Sequence, residues 1–554
     1  MINPYRTLSE HLPERLPAGK DALPGDPKSL RAWVEGLPRA NQQAYLAQLV
    51  QAVDGFRNRR FDGFARLEAM EALRPALLEA LTLLASRLQG STFPLANAKA
   101  ETAGQLMALH RDLALGYRLA VVEACAPSGK LPFLRGGQVA LALERAAYHH
   151  VRWLSASYFL YRPPEPRAWA NLYALAAFAE SQGLASKAVE DPAERSSLTV
   201  ALLQNQAVLM SLANPYRFSQ RELVDLWTLT RDVANLVELT PQRFSAAGSV
   251  VLIDVDAAPT FFSRAPNPDE GDVLWVDLRK LDGLMRATLS HAGGTRDAVL
   301  RLSRQYSLTL SVGLLQRALE GWDQDASRSF VRLDGGYALE GVVGLSGLHY
   351  HMAGQQDFDG FLRDVRGMPA LAVQRAAWTH GSVDSNRVPS VETRVLDQSL
   401  GGYRVRWDAA QGVRARIGEL VGLSLPLQDE TRDWSVGVVR WLRYGEDGAM
   451  EAGIDLIARR GHAVALRPLD IEGSSQAPVR AIGLMTMAAE EGDGEREVFL
   501  VDSVAGLDGP RIEVVRNGNR WDFEEGDGAK IYDCGQLKVL RRNGDYLLVA
   551  GERA

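Results

Sequence analysis

The sequence predicts a multidomain α+β protein. Apolar residues fall at helical spacing from about residue 25 to 240, and short β-rich runs take over from about 245. At 554 residues, the chain is long enough for roughly three to four domains of about 150 residues. We read an N-terminal all-α helical domain over 1–240 and a central mixed α/β or β-rich domain over 245–360. A small antiparallel β-barrel follows over 365–472, with a small β unit over 476–554.

Composition narrows the function. A hydrophobic fraction of 46% and a charged fraction of 23% are ordinary globular values and exclude bulk disorder. A net charge of −6 leaves no global basic field for a nucleic acid polymer or an anionic membrane, so any bound anion needs a local arrangement. Cys125 and Cys534 are the two cysteines, which excludes a disulfide framework and points to reduced thiols in the cytoplasm. The first residues lack the apolar stretch of a signal peptide, and no run of 18 uncharged apolar residues occurs. We therefore expect no membrane span and no direct membrane insertion.

In the helical domain, Leu67, Met70, Leu73, Leu77, Leu81 and Leu84 step by three and four along one stripe. Pro75 interrupts it and marks a kink or a new first turn. Further helices are expected over 101–124, 137–160, 166–183 and 193–213, and another begins at Ser219. Ser219 and Glu222 there have capping-box spacing. About eight helices result, with no tetratricopeptide signature, and a partner-binding surface is the expected role. Cys125 reads as core.

The central stretch holds β-rich runs at 249–255 and 273–278, a helical piece near 295–322 and glycine-rich strands over 328–352. Asp254 and Asp256 read as a strand-end turn. His149 and His150 are adjacent on a helix and point about 100° apart, too far to chelate one ion. His349 and His351 on a strand would share one face, but no further ligand spacing completes a metal site. Phosphate-binding loops, a nucleophile elbow and a kinase motif set do not occur, so no enzyme, metal or cofactor is expected.

The ligand-binding signal is the run from Thr393 to Val405, TRVLDQSLGGYRV, which reads as strand, turn, strand. Asp397 and Ser399, two apart on extended backbone, point to one face. Gly401 and Gly402 offer positive φ and close backbone approach for a flat ligand. Successive short strands follow, among them Val436-Gly437-Val438-Val439-Arg440-Trp441 and Gly453-Ile454-Asp455-Leu456. Trp407, Trp434 and Trp441 read as core, with one available to stack on a base.

Over roughly 370–465 this pattern resembles the PilZ domain, a β-barrel receptor for the bacterial second messenger cyclic di-GMP. Asp397, Ser399 and Gly402 match its D/N-x-S-x-x-G motif. The resemblance implies guanine contacts from Asp397 and Ser399, and phosphate contacts from an upstream R-x-x-x-R element. Arginine suits that role because it forms bidentate, charge-assisted bonds to phosphate and stacks on purines. Between 360 and 397 no intact R-x-x-x-R occurs. Arg375 lies at about the family's separation from Asp397, and Arg394 lies closer. The expected ligand-binding set is thus Arg375, Arg394, Asp397, Ser399 and Gly402.

The resemblance implies a cytoplasmic signalling effector. Nucleotide binding at the barrel would order the linker at 363–394 and couple to a protein partner, possibilities being the pilus or flagellar machinery. Surface motility, type IV pili or biofilm control are the implied outputs. A ligand-independent adaptor with a degenerate barrel is the alternative; there Asp397 and Ser399 satisfy turn backbone and the glycines serve a bulge.

Overall fold

Ser219 Oγ accepts the Glu222 amide, and a Glu222 carboxylate oxygen accepts the Ser219 amide at 2.9 Å, completing the capping box expected there. The computed structural model describes residues 3–19, 22–192, 194, 196–245, 248–265, 273–323, 331–364, 390–407, 413–425, 433–445, 447–469, 477–485, 496–505, 507, 511–516, 530–543 and 545–552. The chain divides into two units. Met1–Ser91 and Ala96–Ser327 form the first; Thr92–Leu95 and Arg328–Ala554 form the second. This division falls within the stretch 245–360.

The first unit is mainly helical. Ala65–Leu88 is one helix that runs through Pro75, and its leucine stripe is buried on both sides of the proline. That burial holds the helix across the missing backbone donor. Asn97–Cys125, Gly136–Phe159 and Ala168–Ser181 lie close to their expected bounds. The helix expected over 193–213 is shorter, Val200–Leu212, because Val189–Asp191 and Ser196–Leu198 pair as a hairpin. Arg74 and Arg145 both pair with the buried Asp191 of that hairpin. His149 and His150 are both buried: His149 stacks on Tyr117, and its Nδ1 lies 3.3 Å from His110 Nδ1.

Also in this unit is a four-stranded antiparallel sheet in the order Glu238–Thr240, Val273–Asp277, Ser249–Leu252, Thr260–Phe261. The helix expected over 295–322 begins only at Val312, since Asp297–Arg301 and Ser307–Ser311 alternate buried and exposed residues and form a hairpin. Asp256 accepts the amides of Arg167 and Ala170, so it caps the start of Ala168–Ser181.

The second unit is one large antiparallel sheet. We number its strands β1 (Leu333–Asp334), β2 (Ala338–Val343), β3 (Val391–Ser399), β4 (Gly402–Trp407), β5 (Leu420–Ser424), β6 (Trp434–Tyr444) and β7 (Met450–Leu469). Then come β8 (Val479–Met485), β9 (Arg496–Asp502), β10 (Arg511–Arg516), β11 (Lys530–Cys534), β12 (Lys538–Arg542) and β13 (Tyr546–Glu552). Pairing runs β4-β3-β2-β5-β6-β7, and β4 pairs with β7 as well, so these six strands follow one another in a ring. The twenty-residue β7 leaves the ring at its C-terminal half, where it pairs with β8 on one side and β10 on the other.

His349 and His351 lie on a helix, Leu345–Met352, not on a strand. Gly344 at φ +86° ends β2, and Leu348 and Met352, four apart, pack with Trp434 and Val436 in the core. The buried His349 ring bonds the Val464 carbonyl.

Candidate functional site

The site is built on the β3–β4 hairpin. Leu400 and Gly401 form its two-residue turn, with Ser399 facing Gly402, and Ser399 Oγ donates to the Gly402 carbonyl at 3.4 Å. Upstream the register shifts. Val395 faces Val405, but Asp397 faces Arg404, leaving Leu396 as the extra residue of a β-bulge. Such a bulge re-aims the side chains beside it. The segment ahead of β2 follows β3 past this bulge: Gly335 and Gly336 donate to the Leu396 and Val395 carbonyls, and Asp334 on β1 faces Asp397.

That pairing delivers Arg332, the residue before β1, to the motif. Arg332 Nη1 donates to Asp397 Oδ1 at 2.8 Å and to Oδ2 at 3.1 Å. Arg404 Nη1 approaches Oδ2 at 3.6 Å, while its Nη2 donates to Glu451 Oε2 at 2.8 Å. The Glu451 hydrogen bond pushes the Arg404 guanidinium above its ordinary pKa. The Asp397 side chain is 17% exposed and that of Arg332 42%, so one face of this cation remains open to solvent.

Register carries the site across four strands. Asp397 faces Arg404, Arg404 faces Gly453, and Gly453 faces Trp441. Directly opposed residues share a face of the sheet, so the four form a row across β3, β4, β7 and β6. A Cβ on Gly453 would fall 1.9 Å from Trp441 Nε1, so the indole lies over this glycine. Trp441 is half-buried, whereas Trp407 and Trp434 are buried in the core, as the sequence predicts for most of this group.

Gly402 has a different reason than expected. Neither it nor Gly401 adopts positive φ. A Cβ on Gly402 would instead lie 1.9 Å from the Ile454 carbonyl oxygen, because β7 passes directly against it.

The structure brings Asp397, Ser399 and Gly402 together on one hairpin. Arg394 is exposed on β3, upstream of the bulge, and makes no ion pair with a described residue. Arg375 and most of the linker at 363–394 lie outside the described residues. Sequence reasoning missed Arg332 and its spacing to Arg328, R-S-F-V-R, which has the R-x-x-x-R form. The signal was present but sat ahead of β2, beyond a long insertion between β2 and β3; Arg328 itself lies outside the described residues.

Comparison with known families bears directly on this hairpin. The family model described as the middle PilZ domain of the cyclic-di-GMP receptor FimW matches residues 249–380 and 365–462. The chain carries a PilZ domain. Its match takes in Arg332, the motif hairpin and the row to Trp441, and ends within β7. The model described as the N-terminal domain of the same receptor matches residues 28–242, ahead of the PilZ match. The cyclic-di-GMP receptor FimW of Pseudomonas aeruginosa PAO1 is 26% identical over 536 residues, covering 88% of this chain and 86% of that protein. No solved structure matches the chain.

Proposed function

We propose that this protein is a receptor for cyclic di-GMP that acts as a non-enzymatic signalling effector. The observation that carries the reading is the Arg332–Asp397 contact, which couples the last residue of an R-x-x-x-R element to the motif aspartate. The similarity to a receptor named for this ligand supports it.

The chemistry follows from the side chains. Cyclic di-GMP presents two phosphates and two guanines. Arg332, with Arg328, would take phosphate oxygens through charge-assisted bonds. Asp397 and Ser399 accept and donate at a guanine edge. Trp441, half-buried beside Arg404, offers a plane on which a base stacks. Asp397 holds Arg332, so phosphate must compete with that carboxylate. The ring of six paired strands would serve as the barrel on which these groups stand. The arginine pair lies where the chain leaves the first unit and enters the second. Ligand would fix this segment against the hairpin, an ordering event of the kind that switches signalling proteins. The partner would be a protein, with pili, surface motility or biofilm as outputs and the cytoplasm as the setting.

The self-contained Arg332–Asp397–Arg404–Glu451 chain also favours a second reading, an adaptor whose degenerate site satisfies itself without ligand. Calorimetric titration with cyclic di-GMP separates the two. A receptor gives saturable heat that Arg332→Ala and Asp397→Ala diminish. An adaptor gives none, and its partner binding is indifferent to the nucleotide.

A further inference from the structure

Between the helices Asn97–Cys125 and Gly136–Phe159, the sequence Lys130-Leu-Pro-Phe-Leu-Arg135 forms an apolar tip. Phe133 is 88% exposed and Leu134 86%, the two most exposed large apolar residues among those described in the first unit. Adjacent exposed apolar side chains of this size on a turn call for a function.

The tip is held, not loose. The Arg135 amide donates to the Pro132 carbonyl at 3.1 Å, closing a turn. Leu134 sits at φ +58°, a left-handed conformation that branched-chain apolar residues seldom adopt. At the loop's base Gly129, at φ +71°, has the Tyr5 ring where a Cβ would project, and Tyr5 donates its hydroxyl to the Val122 carbonyl. Strain of this sort persists where the surroundings impose it, and it often marks function.

Cations surround the tip. Lys130 and Arg135 flank it in sequence, and the Lys187 ammonium lies 3.8 Å from the Cβ position of Gly137. All three are exposed, and none makes an ion pair with a described residue. Arg135 is steadied by Gln138 at 2.9 Å and by the Phe64 ring.

We propose that Phe133 and Leu134 form a membrane-docking wedge that enters the headgroup region of an anionic bilayer, with Lys130, Arg135 and Lys187 as its electrostatic collar. Two side chains present far too little area for a stable protein interface, which needs about 800 Å² per partner. A bilayer needs only shallow insertion plus cations near the surface. The chain's net charge of −6 makes the local collar necessary. Such docking is peripheral: among the described residues no helix is long and apolar enough to cross a membrane. It nevertheless departs from the sequence expectation of no direct membrane insertion.

The test is flotation of the full chain with phosphatidylcholine vesicles, with and without roughly one-third phosphatidylglycerol. The wild type should float with the anionic vesicles, be released by high salt, and ignore pure phosphatidylcholine. Phe133→Ser with Leu134→Ser should lose at least about tenfold in partitioning while keeping the wild-type circular dichroism and thermal midpoint. Lys130→Glu with Lys187→Glu should lose binding as well. Absence of wild-type binding, or equal binding by the doubly serine-substituted chain, overturns the proposal; the first result would return the wedge to a protein pocket as its occupant.

Discussion

Arg332 and Asp397, 65 residues apart in sequence, meet through a single guanidinium nitrogen at 2.8 and 3.1 Å. The long separation holds the helix Leu345–Met352 and the residues that follow it, inserted between β2 and β3. Pairing of β1 with β3 closes the gap. Arg332→Ala should therefore lower cyclic di-GMP affinity by one to two decades, as expected for a lost charged hydrogen bond worth about 1.5–3 kcal/mol. Isothermal titration checks it. Thermal stability should change little, because the pair is partly exposed.

Trp441 and Gly453 act as a unit. Trp441→Ala should weaken nucleotide binding by about 1–3 kcal/mol, the usual worth of a base stacked on an aromatic side chain. Gly453→Ala should do the same by displacing the indole that its Cβ would meet. If both variants bind as the wild type does, the indole is not a platform. Fluorescence-monitored binding with a labelled nucleotide reads the difference.

Gly402→Ala tests the fold of the hairpin. The new methyl meets the Ile454 carbonyl oxygen, part of a backbone that cannot rotate away. A loss of about 1–3 kcal/mol is expected from overpacking, with a lower thermal midpoint of the second unit's transition. A Gly401→Ala variant, in the turn just before it, serves as the comparison.

Acid should weaken the second unit. Burial pushes His462 down to about 4 and His349 down to about 3, so both rings stay neutral in the folded chain. Arg516 and Arg480 add to the effect by like-charge repulsion. Unfolded histidines protonate near pH 6.5. The folded state thus binds fewer protons: its stability is full above about pH 6.5 and falls as pH drops toward 4 and 3. Denaturant midpoints measured across this window should fall with pH, and His462→Gln should flatten the decline. A midpoint constant from pH 7 to 4 would contradict the assignment.

Much of this was legible in the sequence. Leucine spacing found the helix at 65–88, the Ser219–Glu222 pair found a helix start, and the D-x-S-x-x-G run found the hairpin. What was not legible depended on long-range contact. Asp191 turned an expected helical stretch into a hairpin by pairing with Arg74 and Arg145, neither of which lies near it in sequence. Leu345–Met352 read as strand because His349-Tyr350-His351 alternates locally, yet Leu348 and Met352 needed one core-facing side. Arg332 escaped notice because insertion lengths cannot be read from a motif. Gly402 was singled out for positive φ, but the carbonyl that demands a glycine there belongs to β7.

The most direct measurement is calorimetric titration of cyclic di-GMP into the wild type, Arg332→Ala and Arg375→Ala side by side. The account predicts saturable wild-type binding, a loss of about one to two decades for Arg332→Ala, and near-wild-type affinity for Arg375→Ala. Wild-type affinity in Arg332→Ala together with a loss in Arg375→Ala would place the phosphate contact on the downstream linker and contradict the site described. No heat from the wild type at about a hundred micromolar would leave the PilZ domain an adaptor.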